Sequence, residues 1–324
     1  MIAFFDSNVF DYIAKASEPS LIRSELDSRG IEVLASHLLL VEAIVIKDRR
    51  IREQQLSCIT RLATRYEDKP IAYRQALELR SEIERCRPDW LRARPSVAAK
   101  RRVREFVRQQ QADWQLAKIG ELSPGNLDEF KQDSESGISS NSRVQKTLRV
   151  ETVVHRRPKK AHGYLEANGQ RTRFDLNEPD SFWRWECACV WHSAMVERVD
   201  HSRDYYDYLS PYVNEDAFAD EAYCRFWKRE VDAARMPLNR IPGLVSYYQL
   251  EHRISHGNSY DALHATFCHD VDIFLTADKA FFSVLADLRE LAGQELATPL
   301  FVDRRSSDSL DELKRVLDSI FRDS

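Results

Sequence analysis

Two short, largely apolar runs, one near each end of the chain, stop at an acid: IAFF at 2–5 is followed by Asp6, and VDIFLT at 271–276 by Ala277 and Asp278. Runs of this length, rich in branched and aromatic residues and bounded by polar ones, read as strands buried on both faces, the type found inside parallel sheets. We therefore predict strands over 2–5 and 271–275. Each is followed by a helix-like pattern, with Ser7 or Asn8 available to cap the first. Such strands need helical layers above and below them, so the two ends of the chain point to one α/β sheet.

The rest of the chain fits around that sheet. SLIRSELDSRG reads as a helix closed by Gly30, IEVLAS as a second strand, and the apolar spacing from His37 to about Tyr66 as one long helix carrying Glu42. From about Asp68 to Pro237 the composition shifts to charged helices, with a Ser-, Gly- and Asp-rich loop over 120–143, a small antiparallel hairpin element from TLRVETVVHRR and GYLEANGQRTRFDL, the second with an Asn168-Gly169 turn, an aromatic helix from Asp180 and a further helix near 215–235. After Pro237 and Pro242 the spacing predicts helices over 244–255 and 259–269, the strand at 271–275, a helix over 279–291, a strand over 299–302 and a last helix over 308–322. The expected architecture is an α/β core with a parallel sheet flanked by helices, assembled from 1–67 and 238–324, with a mainly helical insertion over 68–237.

Composition excludes several classes. A hydrophobic share of 43% and an aromatic share of 10% are too high for a disordered chain. The longest apolar run, LLLVEAIVI, is short and broken by Glu42, and an acid already stands at position 6, so neither a spanning helix nor a signal peptide is expected. The reading is a cytoplasmic protein with no membrane partner. Six scattered cysteines without a CxxC pair read as buried thiols.

The acids carry the chemistry. In an open parallel sheet, groups that face a ligand gather at the carboxyl ends of the strands, where Asp6 and Asp278 fall. Glu42 in LLLVEAIVI and Asp261 in YDALHA stand in helix-like runs that can lean over the same edge. A cluster of carboxylates would repel itself without a cation, and hard oxygen ligands suit Mg2+ or Mn2+. Such a site activates water for phosphodiester hydrolysis without a side-chain nucleophile. Helix capping is the structural alternative for Asp6, Asp261 and Asp278; Glu42 has the fewest alternatives, because a charge on an apolar helix face is costly unless it binds something.

The order FFDSN, LLLVEA, YDALHA, FLTADKAF resembles the PIN-domain nucleases. The resemblance implies that Asp6, Glu42, Asp261 and Asp278 bind the metal, that Asn8 and Thr276 position substrate beside it, and that the partner is RNA cut internally. It further implies a toxin or defence role, with an antitoxin or regulatory protein as partner, and a homodimer. It covers about the first 60 and last 85 residues. The long segment between the motifs departs from the family's compact form, and His264 stands where small or apolar residues are usual.

Two basic clusters are candidates for nucleic-acid contact: Lys100, Arg101, Arg102 and Arg104, and then Arg156, Arg157, Lys159 and Lys160, the latter placed in the hairpin turn. Trp183, Trp185 and Trp191 with Phe182 fit base stacking less well than core packing. Cys187, Cys189 and His192 lack a fourth zinc ligand, and His252 with His256 lacks the glutamate of a metalloprotease helix. Two readings compete with the ribonuclease: a non-cleaving RNA-binding or regulatory module on the same fold, and a nuclease directed at DNA.

Overall fold

The described strands are β1 (Ile2–Phe5), β2 (Glu32–Ala35), β3 (Arg65–Tyr66), β4 (His162–Ala167), β5 (Gln170–Asp175), β6 (Ile273–Thr276) and β7 (Thr298–Phe301). Five of them form one parallel sheet in the order β3-β2-β1-β6-β7, so strands from both ends of the chain lie side by side. The computed structural model describes residues 1–16, 18–123, 125, 162–250, 257–293, 295–306 and 308–322. The described residues fall into one unit within 1–68, 108–131 and 267–324, and a second within 69–107 and 132–266. The sequence boundaries at 67/68 and 237/238 follow composition, whereas this division follows compactness.

In the first unit the register sets Phe4 beside Leu34 on one side and Phe274 on the other. Ala3, Phe4, Phe5, Phe274 and Leu275 are all fully buried, and the Phe4 ring stacks on Phe267 at 4.8 Å and Phe274 at 5.1 Å. The helices here are α1 (Ser7–Ala16), α2 (Pro19–Ser28), α3 (His37–Ile44) and α4 (Arg49–Leu62). Gly30, at φ 65°, closes α2 in the left-handed conformation that suits glycine and turns the chain into β2. The single helix expected over 37–66 is two: Asp48 accepts a hydrogen bond from Ile51 N at 3.1 Å and starts α4 afresh, and the chain ends in the short strand β3. A local capping side chain overrides a continuous apolar pattern.

The second unit holds α5 (Ile71–Cys86), and α6 (Ala98–Lys118) contributes its first half here and its second half to the first unit. It continues with α7 (Pro179–His192), α8 (Arg203–Leu209), α9 (Glu221–Arg225), α10 (Pro237–Gln249) and α11 (Gly257–Ala265). The last helices, α12 (Lys279–Ala292) and α13 (Ser309–Arg322), belong to the first unit. The stretch expected as one helix near 215–235 is broken into short turns around α9. Two expectations about α10 fail for one reason. It begins at Pro237 rather than 244, and Pro242 lies inside it because the Leu238 carbonyl, which a proline nitrogen cannot serve, instead accepts Gln75 Nε2 at 2.7 Å.

The β4–β5 ribbon pairs in two-residue register around Asn168 and Gly169, both at positive φ, as an Asn-Gly hairpin turn requires. Most of the loop expected over 120–143, and the TLRVETVVHRR half of the expected hairpin element, lie outside the described residues. Among the described residues no helix is long and apolar enough to cross a membrane.

Candidate active site

Asp6 follows the last residue of β1 and is 1% exposed. Its Oδ2 accepts from Asn8 Nδ2 at 3.0 Å and from Thr276 Oγ1 at 2.9 Å, and its Oδ1 accepts from Ser7 Oγ at 3.4 Å. The parallel pairing creates this contact: Phe5 stands beside Leu275, and Asp6 N donates to Leu275 O at 2.9 Å, so the next residues of both strands meet at the sheet's carboxyl edge. Thr276 is fully buried, and its hydroxyl oxygen also accepts from Asp278 N at 3.1 Å. One hydroxyl thus fastens the carboxylate of Asp6 to the backbone of Asp278.

Asp278 is exposed, and its Oδ1 accepts from Ala280 N at 2.7 Å and Phe281 N at 3.1 Å. The capping alternative is therefore a real role, with the carboxylate held at the positive end of α12. Glu42 is the one residue of α3 that is not buried, so its carboxylate leaves an otherwise enclosed helix on the side open to solvent. Asp261 belongs to α11 of the second unit, where its Oδ2 accepts from Gln249 Nε2 at 3.3 Å. The structure thus brings Asp6, Asn8, Thr276 and Asp278 together in the first unit. His264 is fully buried.

Sequence reasoning missed a second polar group at the same edge. His37, the first residue of α3, places Nε2 at 2.9 Å from Asp113 Oδ2, and Asp113 also accepts from Gln109 Nε2 at 3.0 Å. His37 and Asp113 are 4% and 0% exposed, a depth at which ionisable groups require partners. Glu67, just beyond β3, accepts from His37 N at 3.3 Å. His37 and Glu67 occupy the strand-end positions that singled out Asp6, and that rule could have found them. Asp113 lies 76 positions from His37 and leaves no local signal.

Away from the edge, Arg102 pairs with Asp207 at 2.7 Å and Arg101 with Glu105 at 3.8 Å, while Lys100 and Arg104 are exposed. The turn of the ribbon is Asn168-Gly169, so Arg156, Arg157, Lys159 and Lys160 precede β4 rather than form the turn; they, with His252 and His256, lie outside the described residues. Phe182, Trp183 and Trp191 are core. Burial pushes the Cys189 thiol up to about 12 and raises that of Cys187 well above its ordinary value, and the Cys187 Sγ donates to Asn239 O at 3.1 Å, as buried packing thiols do.

The donors gathered at the edge are carboxylate, hydroxyl and amide oxygens, the set preferred by Mg2+ and Mn2+. Among the described residues no three His, Cys, Asp or Glu side chains are grouped so as to hold a metal ion. What the fold and site define is an α/β protein with a buried acid and a threonine hydroxyl at the carboxyl edge of a parallel sheet. No protein-family model, curated protein or solved structure matches the chain.

Proposed function

We propose that the chain is a PIN-like nuclease that hydrolyses phosphodiester bonds in RNA with Mg2+ or Mn2+, its middle segment acting as an insertion that selects substrate. The observation that carries this reading is the buried Asp6 carboxylate, held by Asn8 and Thr276 at the sheet edge beside Asp278. Asp6 and Asp278 are the acids at the edge that would hold the cation, and Glu42 and Asp261 enter from the sequence motif alone. A bound cation at such a site lowers the pKa of water and so supplies the nucleophile. The chain's own part is positioning. Thr276 fixes the rotamer of Asp6, Asn8 donates to the same oxygen, and the cap geometry of Asp278 leaves its Oδ2 outside the two backbone hydrogen bonds.

Labelled RNA, single-stranded DNA and duplex DNA are incubated with the protein in Mg2+, Mn2+ or EDTA. Metal-dependent cleavage of RNA is expected, with a loss of 100-fold or more on the order of other metal-site removals in Asp6→Asn and Asp278→Asn. Cleavage that survives both substitutions sinks the reading, and preference for DNA replaces its substrate. The second reading is a module on the same fold that binds RNA without cutting it. Binding of RNA with no uptake of Mn2+ would select it.

A further inference from the structure

The β4–β5 ribbon has two unlike faces. Leu165, Ala167 and Phe174 are 5%, 3% and 1% exposed and form its inner face. The backbone is pressed close there: a Cβ at Gly163 would stand 2.7 Å from the Trp185 ring, and Trp185 Nε1 donates to Tyr164 O at 3.3 Å. The ribbon is therefore anchored to α7, and only its outer face is open.

That outer face carries Tyr164, Glu166, Arg171 and Arg173. Tyr164 is 43% exposed, so its ring is open to a partner. The Arg171 guanidinium lies over this ring at 3.7 Å from its centroid, and Arg173 stands directly across the ladder from Tyr164. Among the described residues neither arginine forms an ion pair, although Glu166 is the register partner of Arg171. An exposed ring on a sheet face, flanked by two arginines, matches what single-stranded nucleic acid offers: a flat base to stack and phosphates to neutralise. An acidic peptide would satisfy the arginines and leave the ring without a counterpart.

We infer that the outer face of the β4–β5 ribbon binds single-stranded nucleic acid, with Tyr164 stacking a base and Arg171 and Arg173 contacting phosphate. The inference rests on the nuclease reading only in making that strand a substrate; binding itself needs no cleavage. The plain alternative is a cross-strand Tyr-Arg pair that merely stabilises the hairpin.

The test is fluorescence anisotropy of labelled single-stranded RNA of about 12 nucleotides, a length within the range that such platforms cover, titrated with the full chain in EDTA over a series of salt concentrations. Tyr164→Ala is expected to weaken binding roughly tenfold, as loss of one stacked base does, while Tyr164→Phe keeps the ring and stays close to wild type. Arg173→Gln is expected to lower the slope of log K against log salt by about 0.7, the contribution of one phosphate contact on a single strand. Circular dichroism checks that each variant is folded. Unchanged affinity in Tyr164→Ala and Arg173→Gln overturns the inference, as does failure of the wild type to bind at low salt. If the wild type cleaves RNA but these variants bind and cleave normally, the inference falls and the nuclease reading stands. If binding depends on Tyr164 but no metal-dependent cleavage occurs, the nuclease reading falls and the inference stands.

Discussion

Thr276 is small, fully buried and uses its one hydroxyl twice, donating to Asp6 and accepting from Asp278 N. Leaving a buried polar group without a partner costs about 1–3 kcal/mol, so the hydroxyl is energetically pinned and with it the rotamer of Asp6. Glu186 of α7 shows how a different setting treats the same chemical group. Burial pushes its carboxyl up to about 8, only partly offset by a hydrogen bond with Ser246, and burial likewise raises Glu78 to about 7. The sign follows from proton linkage: between the unfolded value of 4.5 and about 8 the folded chain binds more protons than the unfolded one, so stability falls as pH rises through that window. Chemical denaturation at pH 5, 7 and 9 should show this loss, and Glu186→Gln should flatten it and exceed the wild type in stability at pH 9. An unaltered pH profile in Glu186→Gln would place the charge in water.

At the scale of elements, α7 and α10 approach so closely that only glycine fits between them. A Cβ at Gly243 would lie 2.7 Å from Trp183 Cβ and 2.9 Å from its Cα, atoms that cannot swing aside. Gly243→Ala is therefore expected to destabilise the chain by about 1–3 kcal/mol despite the better helix propensity of alanine, measured as a shift of the urea midpoint. A variant as stable as wild type would mean that the two helices separate freely. This close approach was invisible in the sequence, as was the tolerance of Pro242, because Trp183 and Gln75 are far away along the chain. Local signals were read correctly where the cause is local: the Asn168-Gly169 turn, Gly30, and the strands ending at Asp6 and before Asp278. The break before α4 was local as well, and Asp48 marked it, but the apolar pattern across it was the stronger signal. The pairing of His37 with Asp113 needed the fold itself.

For the molecule as a whole, the decisive fact is that β1 and β6 pair although the hydrogen bond joining Asp6 to Thr276 spans 270 positions. The unfolded chain cannot hold these groups together, since closing so long a loop carries its own entropy cost. Any ligand of this edge therefore binds the folded state alone, and its binding energy appears as stability. A cation at one hundred times its Kd adds about 2.7 kcal/mol by this linkage. Thermal unfolding of the metal-free chain, repeated with increasing Mn2+, should give a midpoint that rises with concentration. Asp6→Asn, which keeps the shape and removes the charge, should lose most of that rise, whereas Arg101→Ala, at an exposed position of α6, should keep it. A rise of equal size in Asp6→Asn would put the cation elsewhere. The absence of any rise in the wild type would leave the buried acid as a structural group, and the nuclease reading would fall with it.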